Sequence, residues 1–89
     1  MNFEWDPDKR QSNLDKHGID FVDAAQVLQQ PHLQRRSDRG GEVRWIAVGP
    51  LQGRIITVVF TKRGDDTYRI ISARRARTYE REAYRRKVG

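Results

Sequence analysis

Cysteine is absent from the chain, and histidine occurs only twice. No disulfide can therefore staple a fold that, at 89 residues, has room for one thin core. Apolar runs such as Val58–Phe60 are far too short to span a bilayer. The first residues, MNFEWDPDK, carry acids where a signal peptide would need lysine, and no apolar stretch follows them. We therefore expect a single domain over residues 1–89 that stays in the cytoplasm and contacts no membrane.

Acidic residues are scarce in the last third of the chain, so the net positive charge is concentrated there. Residues 1–61 hold eight Lys/Arg and eight Asp/Glu, whereas residues 62–89 hold ten and four. The whole net charge of +6 thus lies in the second segment, mostly as arginine. Because guanidinium groups bind phosphate oxygens in pairs, this asymmetry favours a polyanion or an acidic protein surface as partner. A solvated basic surface kept for solubility is the simpler alternative.

Apolar spacing and turn residues predict an α+β domain: a short N-terminal strand, a helical hairpin, an antiparallel meander and a C-terminal helix. Residues 3–5 alternate as a strand, a first helix runs from Asp6-Pro7 to His17, and a second runs from Asp20 to before Pro31. The expected sheet elements are an edge strand (33–38), a strand (43–48) ending at the turn 49–53, a central strand (54–62), a hairpin turn (63–66) and a last strand (68–72). Residues 73–77 are then expected to leave the sheet, with Thr78 capping the last helix.

The first helix has one clear apolar residue, so burial does not explain its sequence. Lys9, Asn13 and Lys16 recur at helical spacing and form a stripe that His17 closes at the helix end. A solvated helix of mixed charge accounts for this pattern, and a histidine at a helix C-terminus often serves the helix dipole. The functional alternative is that Lys16 and His17 present a cation and a proton carrier side by side.

A dense arginine cluster surrounds the end of the last predicted strand. Arg74 and Arg75 follow this strand directly, with Arg69 and Arg77 close by and further arginines, including Arg81, in the helix that follows. Strand ends are common positions for functional side chains because the sheet fixes their origin. Such a cluster can bind phosphate, stabilise a charged transition state or contact an acidic partner, and binding is commoner than catalysis.

The carboxylates and glycines predict neither a metal centre nor a cofactor site. Asp6, Asp20 and Asp23 are expected to cap helices, and Asp65-Asp66 lie in a turn, which leaves no converging set of acids. The glycines are scattered at turns and form no phosphate-binding loop. From the residues alone, the chain is a small basic α+β domain that acts on or beside nucleic acid.

Several motifs together resemble the BrnT toxin family. They are FEWD at residues 3–6, Lys9, Asn13, KHGI at 16–19, Phe21, Ala24-Ala25, Gly41-Glu42, Arg44-Trp45, RIISARRA at 69–76 and Glu80. The resemblance covers nearly the whole chain in order, and the first and last motifs are specific together. Four residues occupy matching motif positions: Lys16, His17, Arg74 and Arg75. For these residues, the resemblance favours a catalytic role over the purely structural roles given above.

The resemblance implies a fold similar to the RelE ribonucleases and a toxin of a type II toxin–antitoxin pair that cleaves RNA and halts translation. It also implies a BrnA-type ribbon-helix-helix antitoxin, two toxins per antitoxin dimer, and promoter DNA as a ligand of that complex. Metal-free RNA cleavage needs a base, an acid and cations around the phosphorane. His17 fits either proton-transfer role; Lys9, Arg69, Arg77 and Arg81 are expected to bind RNA phosphates. The alternatives are a non-catalytic nucleic-acid- or protein-binding module and a structural subunit.

Overall fold

Five strands and three helices make up residues 1–88, the part of the chain that the computed structural model describes. In chain order they are β1 (Asn2–Glu4), α1 (Pro7–His17), α2 (Phe21–Leu28), β2 (Leu33–Arg36), β3 (Trp45–Leu51), β4 (Arg54–Arg63), β5 (Thr67–Arg75) and α3 (Thr78–Lys87). This is the predicted α+β arrangement. No helix within residues 1–88 is long and apolar enough to cross a membrane.

The strands form one sheet in the order β1-β5-β4-β3-β2. Strands β2 to β5 are an antiparallel meander, and β1 pairs in parallel with the first three residues of β5. β4 is the central strand, and its Ile56, Val58 and Phe60 are almost completely buried. The prediction of a central strand over residues 54–62 is therefore confirmed, as is that of two helices within residues 7–29.

The helical hairpin is built by the predicted caps. The carboxylates of Asp6 and Asp20 accept hydrogen bonds from the second N–H of α1 and α2, at 2.8 and 3.0 Å. Gly18 ends α1 with a φ of 70°, a left-handed conformation that glycine adopts without strain. Arg10 adds a bidentate ion pair to Asp20 at 2.8 and 2.9 Å. These hydrogen bonds from Arg10 lower the pKa of the Asp20 carboxyl.

The helices cover the sheet unequally. Phe21 and Val27 of α2 pack with Ile56 and Val58 of β4 in the main core. Because successive strand residues point to opposite faces, Thr57 lies on the other face. There α3 packs against β2 and β3, at one side of the sheet. The surface of β4 and β5 beyond α3 carries depressions that are open to solvent.

The predicted turn at residues 49–53 begins too early. β3 continues through Gly49 and Pro50 to Leu51, and the chain reverses at Gln52 and Gly53, which have φ values of 50° and 80°. Gly49 is needed for close packing, since a Cβ there would lie 2.9 Å from Val27 Cγ1 and 3.1 Å from the Cβ of His32. Glycine is present at position 49 because α2 approaches the sheet closely there. From sequence alone, a glycine at such a close contact cannot be distinguished from a glycine in a turn.

The last strand is longer than predicted, and the ends of other elements also shift. Residues 73–75 stay in β5, where Ala73, Arg74 and Arg75 pair with Val58, Thr57 and Ile56. Thr78 is the first residue of α3 and Arg77 is its N-cap. At the other positions, β2 stops at residue 36, β3 begins at residue 45, and α2 ends at residue 28, three residues before Pro31. Arg74 and Arg75 therefore project from a paired strand, on opposite faces of the sheet.

Candidate nucleic-acid interface

The sheet is irregular where β5 passes α1. Val59 pairs with Ser72, but the next residue, Phe60, pairs with Ile70, so Ile71 is an extra residue that bulges out of the ladder. Such bulges bend a strand, re-aim its side chains and are common beside active sites. Around this bulge, α1 and the open face of the sheet meet.

Asn13 fastens α1 to β5 just beyond the bulge. Its carboxamide donates to the Ala73 carbonyl at 2.9 Å and accepts from the Ala73 N–H at 3.1 Å. It also donates to the Ile19 carbonyl at 3.0 Å, and its side chain is buried. β1 reaches only to Arg69, so Asn13 satisfies the backbone of the edge that β1 leaves uncovered. The other residues of the predicted helical stripe are thereby held at the bulge.

Three adjoining depressions surround the bulge, and they share lining residues. The helix depression, about 250 Å³, lies between α1 and the bulge and contains two lysines and a histidine: Lys9, Ser12, Asn13, Lys16, His17, Ile71 and Ser72. It includes three of the predicted site residues, Lys9, Lys16 and His17. Two lysines, a histidine and Ser12 of α1 thus line one depression together with Ile71 and Ser72 of β5.

The strand-end depression, about 510 Å³, shares Lys9 and Ile71 with the helix depression. Its cationic lining residues are Lys9, Arg44, Lys62, Arg63 and Arg69. Two carboxylates offset part of this charge: Arg69 contacts Glu4 at 2.8 Å, and Arg44 contacts Glu42 at 2.7 Å. Cations remain in excess, so this surface attracts anions.

The arginine depression, about 360 Å³, shares Ser72 with the helix depression and Arg44 with the strand-end depression. It is lined by five arginines, two serines, two aliphatic residues and a tyrosine: Arg35, Ser37, Arg39, Arg44, Ile46, Val59, Ser72, Arg74, Arg77 and Tyr79. Arg74 and Arg77 are predicted site residues. The three depressions together form one continuous basic surface centred on residues 71 and 72.

Arg74 is fixed by a buried acid. Its guanidinium donates to both oxygens of Glu80 at 2.7 and 3.0 Å, and Glu80 is only 3% exposed. The Arg77 N–H donates to the same carboxylate at 2.8 Å. Burial raises the pKa of Glu80, but the hydrogen bonds from Arg74 and the Arg77 N–H oppose burial and bring it below its ordinary value. Glu80 therefore holds the Arg74 guanidinium in one orientation, and the negative charge of Glu80 offsets the positive charge of Arg74.

Two predicted site residues lie apart from this surface. Arg75 is exposed on the sheet face opposite Arg74 and lines none of the three depressions. Arg81 donates to the Ala76 carbonyl at 2.7 Å and to the Thr78 hydroxyl at 3.1 Å, so its guanidinium is engaged at the start of α3. The sequence pattern placed both in one cluster because strand alternation and helix contacts are not visible in a run of arginines.

Several cations of this surface were not predicted from the sequence. Arg35, Arg39 and Arg44 come from the segment whose net charge is zero, yet all three line the arginine depression. Acidic residues of the same segment cancel their charge in a count along the chain, although in the structure Asp38 pairs with Arg36 and Glu42 with Arg44. The polar, exposed sequence LQRR of β2 is a partial signal for Arg35. Within residues 1–88, no three His, Cys, Asp or Glu side chains are grouped as metal ligands.

Comparison with known proteins identifies a family for the chain. Residues 5–80 match the family model described as a ribonuclease toxin, BrnT, of type II toxin–antitoxin systems. The chain belongs to the BrnT family. It is also similar to the Brucella abortus ribonuclease toxin BrnT, known from a crystal structure at 1.1 Å resolution, with 33% sequence identity and a TM-score of 0.67. That similarity covers 88% of this chain and 99% of the Brucella chain. No curated protein sequence matches the chain.

Membership of the BrnT family makes the chain a ribonuclease toxin of a type II toxin–antitoxin system. The BrnT match begins at Trp5 and ends at Glu80. It thus spans α1, the bulge and the Arg74–Glu80 pair, whereas most of α3 lies beyond it. The three depressions around the bulge are formed within the matched segment.

Proposed function

We propose that the protein cuts RNA in the helix depression by acid–base catalysis that requires no metal ion. The observation that supports this most is the convergence of Lys9, Lys16 and His17 on the bulge of β5. An imidazole transfers protons near neutral pH, and ammonium groups bind phosphate oxygens. The helix depression thus combines one proton carrier with two basic side chains, and it adjoins a larger cationic surface.

The proposed reaction uses the RNA as its own nucleophile. The ribose 2′-OH loses its proton and attacks the adjacent phosphorus, the bond to the 5′-oxygen breaks, and a 2′,3′-cyclic phosphate and a 5′-OH are formed. His17 takes the proton from the 2′-OH or supplies one to the departing 5′-oxygen, and solvent water serves the other transfer. Lys16 and Lys9 stabilise the extra negative charge of the phosphorane, with Arg74 as a fixed guanidinium in the neighbouring depression.

Metal independence follows from the electrostatics of the proposed site. The side chains that line the helix depression carry no carboxylate, and two of them are lysines. A divalent cation would be repelled there, whereas a phosphodiester is attracted. The lysines then supply the charge stabilisation that a metal ion provides in metal-dependent nucleases.

The test is cleavage of RNA by the purified chain with and without chelation. We expect full activity in EDTA and cyclic phosphate ends on the products. His17→Ala should lower the cleavage rate by about 10²–10⁴-fold, the contribution typical of a general acid or base. His32→Ala is the matched control, because His32 bonds to Gln30 and Gln34 and lies outside the helix depression. Activity that is lost in EDTA and restored by magnesium would contradict the metal-free mechanism.

For the cellular context, we propose a BrnA-like ribbon-helix-helix antitoxin as the partner in the cytoplasm. An acidic segment of that antitoxin would lie across Arg69, Arg74 and the start of α3 and block the RNA surface. To contact Arg75 as well, it would have to continue past the end of β5 to the opposite face of the sheet. Because ribbon-helix-helix proteins dimerise, two toxins per antitoxin dimer are expected, and the complex would bind promoter DNA through the antitoxin. Size measurement of the co-expressed complex, and its binding to promoter fragments, test these points.

A further inference from the structure

The arginine depression contains cations that the protein itself does not neutralise. Arg35, Arg39 and Arg77 are exposed, and none of them forms an ion pair with a carboxylate of residues 1–88. By contrast, Arg36 beside them is paired with Asp38 at 2.9 Å. Three unpaired guanidinium groups in one depression repel one another, and a bound anion relieves that repulsion.

An aromatic ring stands at the same depression. Tyr79 is 54% exposed, although tyrosine usually buries most of its ring. It lines both the arginine depression and a smaller apolar groove against Ile46 and Val48. Since Tyr79 lies in the first turn of α3, directly before the buried Glu80, its backbone is fixed by the Glu80 contacts with Arg74 and Arg77. A flat apolar face is thus held beside three available cations.

We propose that the arginine depression is a nucleotide-binding subsite for single-stranded RNA, next to the phosphate that is cut. The base stacks on Tyr79, and the phosphate is bound by Arg35, Arg39 and Arg77. This proposal rests on the RNA cleavage proposed above, because the two sites are joined through Ser72, which lines both depressions. The depression of about 360 Å³ is near the lower end of ligand-binding pockets, which hold about 300–1,000 Å³, and suits one nucleotide.

The combination of arginines with Tyr79 determines whether the subsite binds single-stranded or double-stranded RNA. A phosphate site made only of arginines would accept single and double strands alike. Stacking on Tyr79 requires a base that is free of its pairing partner, as in loops and single strands. The subsite therefore selects unpaired RNA and tolerates different bases, since every base offers a face for stacking.

The test measures binding separately from cleavage. A short fluorescent single-stranded RNA with 2′-O-methyl groups cannot be cut, and its affinity is read by fluorescence anisotropy. Tyr79→Ala should weaken binding about 5- to 150-fold, the range that base–aromatic stacking gives on alanine substitution. Tyr79→Phe should retain most of the affinity, because it keeps the ring and removes only the hydroxyl. Each of Arg35→Gln and Arg39→Gln should reduce the slope of log affinity against log salt by about 0.7.

Charge-matched variants on α3 provide the control. Arg85 and Arg86 are exposed residues of α3 that line none of the three depressions, so Arg85→Gln and Arg86→Gln should bind the probe like wild type. Thermal unfolding verifies that each variant is folded. Equal binding of wild type and Tyr79→Ala, or equal affinity for a duplex of the same length, would overturn the subsite. Polyglutamate serves as a probe for an acidic protein partner. If Tyr79→Ala weakened the binding of polyglutamate as much as the binding of RNA, the depression would be a protein-docking surface, and the RNA subsite would be overturned as well.

The two proposals fail in different measurements. If His17→Ala cuts RNA at the wild-type rate, the catalytic assignment is wrong, whereas binding of the uncleavable probe is unaffected by that result. If Tyr79→Ala binds the probe normally while His17→Ala is inactive, the subsite alone is wrong. In the expected outcome, Tyr79→Ala raises KM with little change in kcat, because Tyr79 contacts a nucleotide that does not react.

Discussion

The side-chain amide of Asn13 pairs with both backbone groups of Ala73, across a separation of 60 residues in sequence. In a sheet, these two hydrogen bonds would come from a neighbouring strand. Here a single helical side chain supplies them, and Lys16 and His17 follow on the same helix within about one turn. The position of the proposed catalytic side chains relative to β5 therefore depends on one amide.

Asn13→Ala is expected to reduce both stability and activity. Removing the amide leaves the N–H and carbonyl of Ala73 without partners in a buried setting, which costs about 1–3 kcal/mol per unsatisfied group. Urea unfolding should show this loss. At temperatures where the variant is folded, kcat should fall more than KM rises, because α1 is no longer held against the bulge. Gln11→Ala is the control on the same helix, since the Gln11 side chain donates an exposed hydrogen bond to Asp15 on α1 itself. An equal effect of this change would contradict the role of Asn13.

Glu80→Gln is expected to reduce stability at neutral pH by about 1–3 kcal/mol, since a charged hydrogen-bond partner of Arg74 is lost. The pKa of Glu80 lies below its ordinary value of 4.5, so ionised Glu80 stabilises the folded state above that value. This contribution disappears as the pH falls through the folded-state pKa. The difference between wild type and variant should thus shrink below about pH 4.

Unfolding of both proteins in urea at pH 7 and pH 3 measures the Glu80 effect. Glu82→Gln, an exposed position on the same helix, should change stability little at either pH. A Glu80→Gln deficit that is the same at pH 3 and pH 7 would show that the ion pair with Arg74 is not its cause.

Gly49→Ala should destabilise the fold by about 1–3 kcal/mol, as overpacking of a filled core does. The added methyl would lie 2.9 Å from Val27 Cγ1 and 3.1 Å from His32 Cβ, so α2 or the residues after it must move. Thermal unfolding provides the measurement. Val27→Ala alone should also destabilise the fold, because Val27 is completely buried. The double variant Gly49→Ala/Val27→Ala should be less destabilised than the sum of the two single variants, and strict additivity would show that Val27 is not the obstacle.

Arg75→Ala should weaken antitoxin binding about tenfold, equivalent to about 1.4 kcal/mol, while leaving RNA cleavage unchanged. Antitoxin binding should weaken because an acidic segment that continues past the end of β5 would lose its ion pair with the exposed Arg75. Cleavage should be unchanged because Arg75 lies on the sheet face away from Arg74 and lines none of the three depressions. Titration of the antitoxin into each variant, followed by a cleavage assay, separates the two effects. Arg54→Ala is the control, because Arg54 is an exposed residue at the start of β4. If Arg75→Ala lowered the cleavage rate and Arg54→Ala did not, Arg75 would have to be assigned a role in catalysis.

The fold was largely predictable because its local signals agree with one another. Asp6, Gly18 and Asp20 mark the ends of the helical hairpin and act as caps in the structure. The apolar residues on both faces of residues 54–62 identified the central strand. The errors occurred where a contact far away in sequence decided the outcome. Gly49 is explained by α2, and the extension of β5 to Arg75 depends on pairing with β4.

The site was predictable only in part, for a related reason. Lys16 and His17 were predicted from the helical stripe, and the family resemblance strengthened that prediction. Arg74 was predicted because it follows a strand in an arginine-rich segment, and the roles of all three residues stay predictions. Glu80 was not recognised as the buried partner of Arg74, since nothing in its sequence neighbourhood indicates burial. Arg35, Arg39 and Arg44 were missed because the sheet, and not the order of the chain, brings them to the bulge.

The parallel pairing of β1 with β5 has a consequence for synthesis of the protein. Asn2–Glu4 leave the ribosome first, but their partners, Thr67–Arg69, are made near the end of translation. In the same way, the hydrogen bonds of Asn13 cannot form until Ala73 has been synthesised. A nascent chain therefore cannot assemble the RNA surface until almost all of it has been translated, and a prematurely terminated chain that lacks β5 also lacks Arg69, Ile71, Ser72 and Arg74 of that surface.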